Sequence, residues 1–255
     1  MRVVVTRPET EARRWIEDLR GRGFDVLPLA LIVIGPPADP APLDACWQKL
    51  RDFRAAMFVS GNAVQQFFFR RIANTAWPAG TRAWAPGPGT RAALIDAAVP
   101  EPLIDSPPAT ADQFDSETLW REVAPQVAAG DRVLVVRGGD AQAASSGRDW
   151  LAEQVVAAGG YVETVAAYLR QPPAFDELQL AQARQAAVDG SVWLFSSSQA
   201  AGYLGAALPG QDWSGARAIA THPRIRDAVL RLGFGVVCES RPALDATVAA
   251  LESFR

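Results

Sequence analysis

Small hydroxyl and amide side chains recur where apolar strand-like runs give way to helical patterns, and residues of this kind can hold an anion. They are Thr6 and Arg7 after "RVVV", Ser60, Gly61 and Asn62 after "AAMFV", and Gly87, Pro88, Gly89 and Thr90 after "RAWAP". Arg137 and Gly138 follow "RVLVV", Ser196, Ser197, Ser198 and Gln199 follow "VWLF", and Thr221, His222 and Arg224 follow "RAIA". Singly, such residues need do no more than cap the next helix by accepting its free N–H groups. The same helix N-termini offer unpaired donors and a partial positive charge, which suit carboxylate or phosphate. Repetition at six strand ends favours anion binding for the set.

Conventional catalytic groups are scarce. His222 is the sole histidine and stands before Pro223 at a helix start, where capping or packing accounts for it more simply than a Ser-His-Asp triad. Tyr168, in "VAAYLRQPP", lies at a connector and either packs there or presents its phenol to the space between two domains. Cys46 and Cys238 are far apart, and neither a CxxC nor a second histidine accompanies them, so neither a disulfide framework nor a metal site is expected. "GPGTRA", Gly87–Ala92, fits G-x-G-x-x-A and has Asp105 at the end of the next strand, the outline of a dinucleotide site. Its strand does not open a domain, however, and the matching turn "THPRIR" has no glycine. Many donors with few acids or bases suit chemistry in which the substrate mainly has to be held.

The elements behind these turns come in two copies. "RVVVTRP" and "RVLVVRG" are offset by 130, from Arg2 to Arg132, and "RAWAPGPGTRAAL" and "RAIATHPRIRDAV" by 135, from Arg82 to Arg217. "DSPPA" and "ESRPA" differ by 134, from Asp105 to Glu239. "MFVSGNAVQQFFF" and "LFSSSQAAGYLGA" align Ser60 with Ser196, Val64 with Ala200 and Phe67 with Tyr203, an offset of 136. Each copy reads as five strands, near 2–6, 25–29, 56–60, 82–85 and 102–105, then near 132–136, 161–168, 192–196, 217–220 and 236–239. Runs apolar on both faces, alternating with helical patterns such as "TEARRWIEDLRGRG" and "RDWLAEQVVAAGG", predict doubly wound parallel sheets. The proline connectors "IGPPADPAP" and "RQPPAF" leave two partitions open. One is a tandem cut near residue 130; in the other, the first two strands join the last three.

The chain has 255 residues, 49% of them hydrophobic and 21% charged, with a net charge of −3 and no basic block. A globular protein with neither a nucleic-acid partner nor a membrane span is expected. "MRVVVTRPE" lacks the features of a signal peptide, so a cytoplasmic location is expected.

Taken in order, "VVVTRPE", "FVSGNAV", "GPGTRAAL", "FDSETLW", "VLVVRGGD", "VAAYLR", "FSSSQAA" and "THPRIRDAVLRLGF" resemble the uroporphyrinogen-III synthase family along essentially the whole chain, in its proteobacterial form. The resemblance implies two α/β domains joined by two extended connectors, one discontinuous (1–35 plus 172–255) and one continuous (36–171). It implies cofactor-free cyclisation of linear hydroxymethylbilane, an octacarboxylate, with inversion of ring D. Tyr168 would be the catalytic candidate and the strand-end turns the substrate-binding set. A monomer is expected, with hydroxymethylbilane synthase as a transient partner. The "THPRI" turn departs from relatives that carry glycine and threonine there, and Thr221 and Arg224 would take over those contacts. A two-domain anion- or dinucleotide-binding protein is the alternative.

Overall fold

The computed structural model describes residues 1–71, 75–140 and 150–254. In chain order the elements are β1 (Arg2–Val5), α1 (Glu9–Gly21), β2 (Asp25–Pro28), β3 (Val33–Gly35), α2 (Ala41–Gln48), β4 (Ala55–Phe58), α3 (Gly61–Phe69) and β5 (Arg82–Trp84). There follow α4 (Pro88–Asp96), β6 (Ile104–Asp105), α5 (Ser116–Val123), β7 (Arg132–Asp140), α6 (Trp150–Ala157), β8 (Tyr161–Gln171) and α7 (Glu177–Ala186). The last are β9 (Val192–Phe195), α8 (Ser198–Ala207), β10 (Arg217–Ala220), α9 (Pro223–Leu232), β11 (Val236–Glu239) and α10 (Leu244–Glu252). Arg148 and Asp149, which open the "RDWLAEQVVAAGG" pattern, lie outside the described residues.

Two compact units result: Met1–Val33 with Gln171–Arg255, and Ile34–Arg170. The discontinuous unit holds a sheet in the order β11-β10-β9-β1-β2, parallel throughout. The continuous unit holds β3-β8-β7-β4-β5-β6, with β8 through β6 parallel. Each sheet therefore takes the first two strands of one sequence copy and the last three of the other. β1 pairs with β9, and β7 with β4.

Both faces of the central strands are buried, which is why β4 and β9 are apolar at every position. In the continuous unit Met57, Trp84, Val135 and Leu119 pack on one face, and Phe58, Phe67, Trp47 and Val136 on the other. In the discontinuous unit Val5, Leu194, Ile219 and Leu251 form one face. Trp193, Phe195, Trp213 and Phe234 pack together, Phe234 meeting Trp193 and Phe195 edge-to-face and stacking on Trp213 with ring centroids 5.1 Å apart. Each such side chain contributes about 1.5–3 kcal/mol through burial. The helices have local stops and starts: Asp115 caps α5 through the Thr118 N–H at 2.8 Å, and Asp176 with Gln179 forms a capping box on α7. Gly233, in the left-handed region at φ 109°, ends α9, where a side chain would be strained.

Three details differ from the sequence reading. β3 is an additional strand, because three residues before a Pro-Pro pair give too short a pattern to read. β7 runs to Asp140 and β8 to Gln171, so Arg137 and Gly138 lie inside a strand instead of in a turn. The copies also match differently around the serines. Ser60 caps α3 and Ser197 caps α8, each two residues after its strand. Val64 with Ala201, and Phe67 with Leu204, share buried positions. The offset there is 137, and Ser196 corresponds to Val59.

Candidate active site

In a doubly wound sheet, ligands bind beyond the carboxyl ends of the strands at the point where strand order reverses. Here those points lie between β1 and β9 in the discontinuous unit, and between β7 and β4 in the continuous one.

At the β1–β9 point Thr6 is buried and its Oγ1 donates to the Leu194 carbonyl at 2.6 Å, tying the two strands together. Arg7 follows. Its guanidinium lies 4.4 Å from the centre of the Trp15 ring, and its Nη1 is 3.4 Å from Glu11 Oε2, in the first turn of α1. The side chain is only 15% exposed. Burial lowers its pKa, and the Glu11 carboxylate acts in the opposite sense. Beside it is a cavity of about 10 Å³, room for one water-sized atom, lined among others by Arg7, Trp15, Ser196, Ile219, Thr221 and Thr247. Thr247 is 1% exposed and its Oγ1 has no hydrogen-bond partner. Sequence reasoning missed Thr247 and Trp15, which sit within helices away from the strand-end turns. The available signal was a threonine among the apolar positions of "DATVAAL".

The neighbouring turns are caps. Ser197 Oγ accepts the Gln199 N–H at 3.2 Å, and Gln199 Nε2 donates to Tyr203 at 2.8 Å. Ser198 donates to the Arg224 carbonyl at 3.3 Å. His222 Nδ1 accepts the Arg224 N–H at 3.1 Å, so its ring caps α9 and that nitrogen is occupied. Arg224 is exposed.

At the β7–β4 point the central feature is Tyr168, only 3% exposed. Its hydroxyl lies 3.1 Å from Ser60 Oγ, which also accepts the Ala63 N–H at 3.2 Å as the cap of α3. The β7–β8 ladder slips between Arg137 and Gly138, so that Gly138 faces Tyr168. Such a bulge re-aims the side chain that follows it. A Cβ on Gly138 would stand 2.5 Å from Tyr168 Cζ and 2.9 Å from its hydroxyl. The glycine is what allows the ring its place. Gly61 and the buried Asn62 begin α3, and Arg137 is half-buried beside Gly138.

Gly87 caps α4, Gly89 lies in its first turn, and Thr90 is buried. Asp105, the acidic residue of the dinucleotide outline, forms a two-point ion pair with Arg82, and β5 is not at a reversal point. The dinucleotide alternative is not favoured. Cys46 lies 3.8 Å from Glu163, and burial, aided by that carboxylate, pushes its thiol up to about 11. It remains protonated at neutral pH and is a poor nucleophile. Among the described residues no three His, Cys, Asp or Glu side chains converge as metal ligands, and no helix is long and apolar enough to cross a membrane.

The fold and site define a two-unit α/β protein with many donors at two reversal points and few acid–base groups. The model of the family described as uroporphyrinogen-III synthase HemD matches residues 13–249. The chain belongs to that family, the lyases of tetrapyrrole biosynthesis that form uroporphyrinogen III. It is 28% identical to the uroporphyrinogen-III synthase of Synechococcus elongatus over 222 residues, 83% of this chain and 77% of that one. Its fold is similar to that of the Helicobacter pylori synthase, with a TM-score of 0.56 and 15% identity over all of both chains. A mutant synthase from the extreme thermophile Thermus thermophilus gives a TM-score of 0.55 at 14% identity, covering 100% of this chain and 98% of that one.

Proposed function

We propose that this chain cyclises linear hydroxymethylbilane to uroporphyrinogen III in the cytoplasm, as a monomer and without a cofactor. The family match across both units, from residue 13 to 249, carries this reading. In the reaction the terminal hydroxyl leaves as water, ring D is attacked at its substituted carbon to give a spiro intermediate, and reclosure inverts that ring. The unstable substrate comes from hydroxymethylbilane synthase, the transient partner in this reading.

The site chemistry supports it. The substrate carries eight carboxylates, and both reversal points are bordered by helix N-termini, which favour anions. Ser60, Gly61 and Asn62 serve on the continuous unit, with Gly87, Gly89, Thr90, Arg137 and Gly138 around them. Thr6, Arg7, Ser196, Ser197, Ser198, Gln199, Thr221, His222 and Arg224 serve on the discontinuous one. Tyr168, held by Ser60, donates a hydrogen bond to the departing hydroxyl without ionising. The remaining catalysis lies in holding the bilane so that the spiro path outruns direct closure. The test adds purified protein to freshly made hydroxymethylbilane and resolves the type I and type III isomers. Type III product is expected, and type I alone would refute the reading.

A further inference from the structure

The cavity beside Arg7 is mainly apolar, but hydroxyl-bearing residues stand in its lining where the fold does not require them. The duplication supplies the comparison. Ser196 corresponds to Val59, and Thr221, at the 135 offset, to Pro86. Thr247 is the fourth residue after the cap of α10, and the fourth after the cap of α5 is Leu119. Leu119 packs on Met57, Trp84 and Val135, whose counterparts Leu194, Ile219 and Val5 line the cavity floor. Three hydroxyls thus stand in one unit where the other has apolar groups. Thr247 is buried with an unpartnered oxygen, a condition that destabilises a finished core. A largely buried cation in the lining, held over Trp15 by Glu11 and the ring itself, supplies the opposite charge to an anion.

We propose that this cavity is an anion subsite that seats one carboxylate of the ligand, one oxygen entering among Ser196, Thr221 and Thr247 and the group facing Arg7. It rests on the reading of the substrate as a polycarboxylate, and it names where one of those carboxylates docks. A space that admits one water-sized atom fits a carboxylate oxygen, and hydroxyl donors with a guanidinium give charge-assisted hydrogen bonds.

Two measurements on the full chain test it. With acetate as probe, the Arg7 Nε–H resonance should shift along a saturable curve, and Thr247→Val should abolish saturation while Thr247→Ser restores it. With hydroxymethylbilane, Thr247→Val should raise KM roughly tenfold, the value of one charge-assisted hydrogen bond, with the Ser variant near the parent. An acetate response in Thr247→Val equal to the parent's, or an unchanged KM, overturns the subsite. The acetate titration does not depend on turnover. A parent that makes no type III product yet shows the Thr247-dependent response refutes the proposed function and keeps the subsite.

Discussion

The two reversal points share a topology and a repeated sequence pattern but differ in chemistry, and one residue pair accounts for much of the difference. At the 130 offset Arg7 corresponds to Arg137 and Pro8 to Gly138. Proline has no N–H for a ladder and its φ is fixed near that of a helix start. β1 ends at Val5, and α1 begins at Glu9 directly after the Pro8 cap. Arg7 is therefore turned back against its own helix, onto Trp15 and Glu11. Glycine allows the opposite outcome. β7 continues to Asp140, stays paired with β8 across a bulge, and leaves room for the Tyr168 ring. One end places a guanidinium beside a mainly apolar cavity that Ser196, Thr221 and Thr247 help to line, and the other places a phenol on a serine. A duplicated scaffold can thus diversify a site by deciding where a strand stops.

The largest test of the comparison separates the units. We propose that 40–166 folds by itself, since it holds β4 through β8 up to residue 166, and it should melt cooperatively. A fragment 1–130 carries β1 and β2 without β9, and β4 to β6 without β7, so it should not. Cooperative melting of 1–130 with an unfolded 40–166 would reverse the assignment.

Next comes Gly138→Ala. The added methyl would meet Tyr168 Cζ at 2.5 Å, and overpacking of this kind costs about 1–3 kcal/mol, several degrees in Tm for a chain this size. It should also slow type III formation at least as much as loss of the phenol hydroxyl does, because the ring is displaced. Combined with Tyr168→Ala the same change should cost almost nothing more, as expected when two mutations share one contact. An additive double mutant would place the strain in the strand and not against the ring.

Much of this arrangement is legible in the sequence. The apolar runs that form β1, β9 and β10 fall within a residue of their expected limits, because strands buried on both faces leave a plain signal, and the edge strands β2 and β11 are placed as closely by their short apolar runs. The strand-end serines read as caps or binders, and Ser60 and Ser197 both serve as caps. What stays hidden depends on contacts between distant segments. Gly138 reads as a turn glycine until β8 lies beside it, and Thr247 reads as an ordinary helix residue until β1, β9 and β10 surround it. The offset of 136 around Ser60 fails by one because "SSS" offers three equivalent letters, and only burial distinguishes them.

Tyr168→Phe should have a smaller structural effect than Gly138→Ala and a sharper chemical one. Losing the hydrogen bond to Ser60 costs about 1 kcal/mol, roughly 2–4 °C in Tm. If the phenol assists departure of the hydroxyl, type III formation slows on the order of a hundredfold with KM little changed, and more bilane closes spontaneously to type I. Parent-like turnover by the Phe variant would make the residue a packing element at a buried strand end.

The smallest effects come from Ser60→Ala and Ser197→Ala, and their difference is the informative quantity. Both remove the cap of the helix that follows the third strand of a sheet, and each cap contributes about 1 kcal/mol. That part of the loss should be similar, since each serine stands two residues beyond its strand and satisfies one N–H of the first turn, Ala63 for Ser60 and Gln199 for Ser197. Ser60 has one partner more, the Tyr168 hydroxyl at 3.1 Å. Ser60→Ala should therefore lose about another 0.5–1.5 kcal/mol, and in a Tyr168→Phe background the excess should vanish, leaving two equal caps. In activity, Ser197→Ala should stay within a few-fold of the parent, because carboxylates at these turns are held largely by backbone N–H groups that the change leaves in place. Denaturant midpoints measured on the three single and two double variants decide it. Equal losses in the parent background would mean that the phenol draws nothing from Ser60 and is positioned by Gly138 and the bulge alone.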